Sequence, residues 1–170
     1  MSVADEPRRL LLLRHGKSDW STGAESDHAR PLTRRGEDAA GAVGRWITES
    51  RLAPDLVLSS TAVRARLTAE LARESGGWTC PLKLDENLYS AAPERLLEIC
   101  RALDPELRRP LLVGHQPTWG ALASLLAGGG RLRFPTGALA VLRCDGTWRE
   151  LAAGSAELEV LLAPKRLPRS

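Results

Sequence analysis

Leu10-Leu11-Leu12-Leu13-Arg14-His15-Gly16-Lys17-Ser18 is an apolar run that stops abruptly at a guanidinium, an imidazole and a glycine. Four consecutive leucines are too few to cross a bilayer, but they suit a strand buried on both faces, as in a parallel sheet covered by helices. Arg14 and His15 then stand at the carboxyl end of that strand, where ligand sites of open α/β sheets lie. Gly16 is expected to let the backbone turn sharply beside them.

Two further stretches have the same form. Pro110-Leu111-Leu112-Val113-Gly114-His115-Gln116-Pro117 is again an apolar strand that ends in a glycine, a histidine and a turn. Asp55-Leu56-Val57-Leu58-Ser59-Ser60-Thr61-Ala62-Val63-Arg64-Ala65 is a strand running into a helix whose first turn carries Arg64, so that guanidinium and the free N–H groups of the helix start can serve one anion. If the three strands are parallel neighbours, two histidines and two arginines meet at one edge of the sheet. That is an anion site with a nucleophile in it.

The rest of the chain supplies the helices and connections. Residues 17–31 lack apolar periodicity and are expected to form a loop over the carboxyl edge of the sheet, ending in Asp27-His28-Ala29-Arg30-Pro31-Leu32. Thr33 suits the N-cap of a helix to about Ser50, with Ala39, Ala40, Val43 and Ile47 on one face and Trp46 at its edge. Ser60 is expected to cap a second helix to Ser75, with Val63, Leu67 and Leu71 inward and Gly76-Gly77 at its end. A short strand and loop follow from Cys80 to Tyr89, then a helix opened by Pro93 and running to about Leu103, and a helix from Thr118 to Leu126 closed by three glycines. Asp145-Gly146 predicts a two-residue hairpin between Leu139–Cys144 and Trp148–Ala152. Leu158 to Ala163 reads equally as a short edge strand or a tail. The alternation predicts one α/β domain over residues 1–170: a three-layer sandwich with a mostly parallel central sheet and helices on both faces.

Composition narrows the function classes. The 24 basic and 21 acidic residues leave a net charge of +3, and lysine occurs only at positions 17, 83 and 165. So mild an excess argues for an arginine-lined pocket for a small anion rather than for nucleic acid, which needs a clustered basic face. Cys80, Cys100 and Cys144 are odd in number and widely spaced, which suggests neither a disulfide frame nor a zinc site and fits a reducing cytoplasm. The polar stretch from Met1 to Arg9 does not read as an export signal, and no apolar run reaches the roughly 20 residues needed to span a membrane. The expectation is therefore no cofactor or metal, and no nucleic-acid or membrane partner.

Arg14-His15-Gly16 at a strand end, Ser60-x-x-x-Arg64-Ala65-x-x-Thr68 on the following helix and Gly114-His115 at a later strand end together resemble the histidine phosphatase superfamily, the phosphoglycerate mutase-like fold. The likeness covers residues from about 9 to 145. Within it, Arg30-Pro31-Leu32-Thr33, then Arg35-Gly36, and the brevity of the chain look like the SixA-type phosphohistidine phosphatases. The resemblance implies that His15 is a nucleophile that becomes transiently phosphorylated. It also implies that Arg14, Arg64 and His115 bind the phosphoryl group and that Arg30 lines its pocket. Many superfamily phosphoesterases carry a carboxylic proton donor after the third strand. Here that segment offers only Asp85, Glu86 and Glu94, with Glu86 the candidate.

The chemistry of phosphoryl transfer agrees with these residue types independently. Charge spreads over the equatorial oxygens, so a protein contributes mainly positioning and fixed positive charge, and the planar fork of arginine suits that task. Weighed one at a time, the residues have plainer explanations: a strand-end histidine satisfied by backbone, a solvated helix arginine. For His28 the plain explanation stands. Of the five tryptophans, Trp20 and Trp119 follow the motif histidines closely enough to border the pocket mouth, and the others read as packing. Lys165, Arg166 and Arg169 read as a solvated tail. The leading expectation is a metal-independent phosphatase that works through a phosphohistidine intermediate on phosphohistidine in a partner protein. A small-molecule phosphomonoesterase and a non-catalytic phosphoryl-binding module are the alternatives.

Overall fold

The computed structural model describes residues 6–168, so Asp5 and Arg169 lie outside the described residues. Ten regular elements follow in chain order: β1 (Arg8–Arg14), α1 (Arg34–Glu49), β2 (Leu56–Ser60), α2 (Val63–Gly76), β3 (Leu82–Asp85), α3 (Pro93–Arg101), β4 (Pro110–Gly114), α4 (Thr118–Leu126), β5 (Leu139–Cys144) and β6 (Ala156–Leu162). They form one six-stranded sheet in the order β3-β2-β4-β1-β5-β6. The first four strands in that order are parallel, and β5 runs antiparallel to both β1 and β6.

The leucine run explains the layering. Successive strand side chains point to opposite faces. Leu10 and Leu12 accordingly pack with Leu96 and Cys100 of α3 and with Trp119 and Leu122 of α4, whereas Leu11 and Leu13 pack with Val43 and Ile47 of α1 and with Ala65, Ala69 and Ala72 of α2. All four leucines are fully buried, each contributing roughly 1.5–3 kcal/mol. The expected three-layer α/β sandwich is the fold found.

Three local expectations need correction. Val63, Leu67 and Leu71 are only partly buried. The inward face of α2 is Arg64, Ala65, Thr68, Ala69 and Ala72, because α1 and α2 cross so closely that a Cβ on Gly44 would lie 2.2 Å from the carbonyl oxygen of Ala72. Large side chains do not fit between them. Ser60 does not cap α2: it ends β2, the N-cap is Ala62, and the Ser60 hydroxyl accepts from the Ala62 N–H at 3.2 Å while facing His115. There is no two-residue hairpin at Asp145-Gly146. Residues 147–150 form a 3-10 turn closed by reciprocal Thr147 and Glu150 bonds, and β5 pairs instead with β6, the edge strand. Burial of Trp148, whose indole N–H donates to the Leu107 carbonyl at 3.0 Å, holds that turn out of the sheet.

Gly16 has no left-handed backbone. Its need for hydrogen is a close approach: a Cβ there would lie 2.7 Å from the Gly36 carbonyl oxygen, and a Cβ on Gly36 would lie 2.2 Å from that of Lys17. Both contacts are backbone and have little room to give. Gly36→Ala is therefore expected to lower stability by about 1–3 kcal/mol, as overpacking does, and to disturb the backbone beside His15. In urea unfolding the midpoint should fall with the slope unchanged; an unaltered midpoint would mean that the neighbouring loop yields freely.

Candidate active site

Parallel pairing of β1 with β4 aligns Arg14 with Gly114, so the next residue of each strand is a histidine. The His15 N–H donates to the Gly114 carbonyl at 3.0 Å, and the two imidazole centres are 5.3 Å apart. Pairing of β2 with β4 brings the start of α2 to the same edge. Arg14, His15, Lys17, Arg30, Arg64, Tyr89 and His115 are among the residues that line one cavity of about 420 Å³, with Asp27, Ser18, Trp20 and Thr136. Arg14, Lys17, Arg30 and Arg64 oppose a single carboxylate there, Asp27.

The His15 Nδ1 lies 2.7 Å from the carbonyl oxygen of Gly16. A carbonyl accepts only, so Nδ1 carries the proton and the lone pair sits on Nε2, 3.4 Å from Nε of Arg64. Burial lowers the His15 pKa to about 4; the Gly16 hydrogen bond opposes this, and the charges of Arg64, Arg14 and Arg30 add to it. Burial also lowers His115, to about 3, with His15 and Arg64 contributing. Its Nε2 lies 2.8 Å from the Ser60 hydroxyl. Both rings are therefore neutral at physiological pH.

These shifts carry a prediction for stability. Each histidine binds a proton more readily in the unfolded chain, near 6.5, than in the folded one. Between the two values the unfolded state holds more protons, so the contribution of the two rings to stability is complete above about pH 6.5 and is lost as pH falls toward about 4 for His15 and about 3 for His115. The urea midpoint should decline through that window in the natural chain and less steeply in His115→Asn; equal slopes would contradict the burial assigned to His115.

Arg64 is held from the mouth of the cavity. Its Nη1 donates to the Asp27 carbonyl at 2.7 Å and its Nη2 to the Asp27 carboxylate at 3.0 Å. Asp27 also receives Nη2 of Arg30 at 3.0 Å and the Tyr89 hydroxyl at 2.7 Å. The Tyr89 hydrogen bond, then those from Arg30 and Arg64, hold the Asp27 carboxyl well below the usual carboxylate range, and the same bond raises Tyr89. Arg30 further donates to the Ser18 hydroxyl. Nε of Arg14 and Nε of Arg30 are buried with no hydrogen-bond partner among the described residues. Unmet donors of this kind are costly unless an acceptor arrives.

Asp27 and Tyr89 escaped the sequence reading. The one signal for Asp27 was its place three residues before Arg30. His28, read as an ordinary loop residue, fixes that place: its carbonyl accepts from the Val63 N–H at 2.9 Å and its Nε2 lies 2.9 Å from the Thr61 hydroxyl. Glu86 does not line the cavity. It is exposed at the head of a 3-10 turn, Glu86–Leu88, that buries Leu88 and delivers Tyr89 to the site instead. Trp20 stands at the mouth, whereas Trp119 lies wholly buried beneath His115, where its ring forbids any side chain at Gly114.

The model of the histidine phosphatase superfamily (branch 1) matches residues 10–92. A protein of Nakamurella multipartitia assigned as phosphohistidine phosphatase SixA is 30% identical, with a TM-score of 0.81 over 94% of this chain and 99% of its own. The chain belongs to the histidine phosphatase superfamily. It is a phosphatase of the SixA type. A second such assignment, from Agrobacterium tumefaciens, is 31% identical with a TM-score of 0.78 over 93% of this chain and 99% of that one. An uncharacterized protein of Mycobacterium tuberculosis is 39% identical, covering 90% of this chain and 100% of its own length. Among the described residues of this histidine phosphatase, no helix is long and apolar enough to cross a membrane.

Proposed function

We propose that this phosphatase hydrolyses phosphohistidine in a partner protein through a phosphohistidine intermediate on His15, with guanidinium groups rather than a metal carrying the compensating charge. In the first step the Nε2 lone pair of His15 forms a bond to phosphorus, the substrate P–N bond breaks, and its electron pair stays on the substrate imidazole. Arg14, Arg30, Arg64 and His115 hold the equatorial oxygens. In the second step water forms a bond to the phosphorus on His15, the P–Nε2 bond breaks with its electron pair returning to Nε2, and inorganic phosphate leaves carrying the protons of the water. Because Nδ1 keeps its proton against the Gly16 carbonyl, His15 departs as a neutral imidazole without receiving a proton.

The observation that carries this reading is the state of Asp27. It is the cavity's one carboxylate, and it is held ionised by Tyr89, Arg30 and Arg64. An alkoxide leaving group needs a proton in the transition state, and an ionised Asp27 has none to give. The second step already expels an imidazole from phosphorus in this same site, so a substrate with an imidazole leaving group asks for nothing more. The openness of the site supports a protein substrate: residues 90–114 are taken up by α3, β4 and their short connections, which leaves no inserted segment to close over a small molecule.

The test compares kcat/KM on a phosphohistidine protein with that on alkyl phosphate esters. The phosphohistidine protein should be at least about tenfold the better substrate, which corresponds to about 1.4 kcal/mol in the barrier. Equal or better turnover of a sugar phosphate would overturn the assignment in favour of a small-molecule phosphatase.

A further inference from the structure

Trp20 is 79% exposed, against 48% for Leu84, the next most exposed large apolar side chain among the described residues. It nevertheless lines the cavity that holds His15. The guanidinium of Arg30 lies on one face of its ring, with Cζ 3.5 Å from the centroid. A ring covered on one face and still so exposed has its other face open. The segment that carries it is fastened, since the Asp19 N–H donates to the Pro31 carbonyl at 2.9 Å and the Ser21 N–H to the Asp19 carboxylate at 2.8 Å. Arg30 is in turn fixed by Asp27 and Ser18. The indole is thus a placed surface at the exit of the phosphoryl pocket.

We infer that Trp20 determines specificity: its open face receives the planar ring of the leaving group, the imidazole of the phosphohistidine substrate. The inference rests on the function proposed above and names what reads the substrate beyond its phosphoryl group. The leaving imidazole departs easily when its distal nitrogen carries a proton, because the electron pair of the broken P–N bond then leaves a neutral ring. Before cleavage that ring is a cation. Arg14, Lys17, Arg30 and Arg64 surround the phosphoryl pocket with positive charge and oppose such a ring. The face of an indole attracts it. For His15 the Gly16 carbonyl serves the distal nitrogen; for the substrate ring, the indole supplies the corresponding stabilisation. An alkyl phosphate, a phospholysine or an acyl phosphate offers no flat ring to this surface.

Two small substrates isolate the ring. Phosphoimidazole and phosphoramidate share a P–N bond, and only the first has a ring, so the ratio of their kcat/KM values removes any general loosening of Arg30. Trp20→Leu should lower that ratio about fivefold or more, the scale of a partly desolvated cation–π contact, and Trp20→Phe should restore most of it. Trp20 is solvent-facing, so neither variant threatens the fold. An unchanged ratio in Trp20→Leu, whether or not both rates fall, overturns the inference and leaves the indole as a prop for Arg30. If the natural enzyme cleaves neither P–N compound but does cleave esters, it is the proposed function that fails. The imidazole-reading role of Trp20 then falls with it, whatever the variants do to other substrates.

Discussion

His15→Ala is expected to lower kcat by about 10⁴-fold or more on every phosphorylated substrate, the scale on which enzymes lose a covalent nucleophile. The effect should be this large because the other two imidazoles of the chain are committed elsewhere. His115 is neutral too, but its Nε2 is engaged with the Ser60 hydroxyl. His28 bonds the Thr61 hydroxyl instead and is not among the residues lining the cavity. The fold should survive the change, since the contacts of the His15 ring are few and polar and the neighbouring leucines lie in separate apolar layers. Circular dichroism and the urea midpoint separate the two outcomes. Loss of activity with a folded chain supports the nucleophile, whereas residual turnover within about a hundredfold of the natural enzyme would remove it from that role.

Arg64→Ala is expected to lower kcat by about 10²–10³-fold, as when a preorganised donor aimed at developing charge is removed. Its Nε is poised beside the lone pair of His15, and both terminal nitrogens are locked by Asp27. The guanidinium therefore cannot relax away from the reacting phosphorus, which is what makes a fixed charge effective. Lysine in its place should recover only part of the loss, because a point charge on a flexible stem cannot hold Asp27 with two nitrogens and face His15 with a third. A rise in KM with kcat unchanged would instead mean that Arg64 binds ground state and transition state alike.

Much of this was legible in the chain itself. Alternation within Leu10 to Leu13 dictates two apolar layers, and a glycine and histidine after β4 beside an arginine and histidine after β1 place two imidazoles at one sheet edge once the strands are parallel neighbours. Local rules failed where distant groups decide. The inward face of α2 is set by how closely α1 approaches, so alanines outrank the larger Leu67 and Leu71. The Asp-Gly pair at 145–146 lost to a capped turn anchored by Trp148 on a carbonyl 41 residues away. The role of Asp27 was hidden for the same reason. Its partners Arg64 and Tyr89 lie 37 and 62 residues on, and only the folded loop, pinned through His28, shows that the carboxylate is spent on holding arginines and that Glu86 stands outside the site.

The most direct measurement is a chemical trap of the intermediate. Phosphohistidine survives alkali and not acid, so the enzyme should be mixed with a phosphoryl donor, quenched in alkali, digested at high pH and sequenced by mass spectrometry. The phosphoryl group is predicted on His15, at Nε2, and should be absent from His15→Ala. A natural enzyme that turns over yet carries no base-stable phosphoryl group, or carries it on His115, would contradict the account.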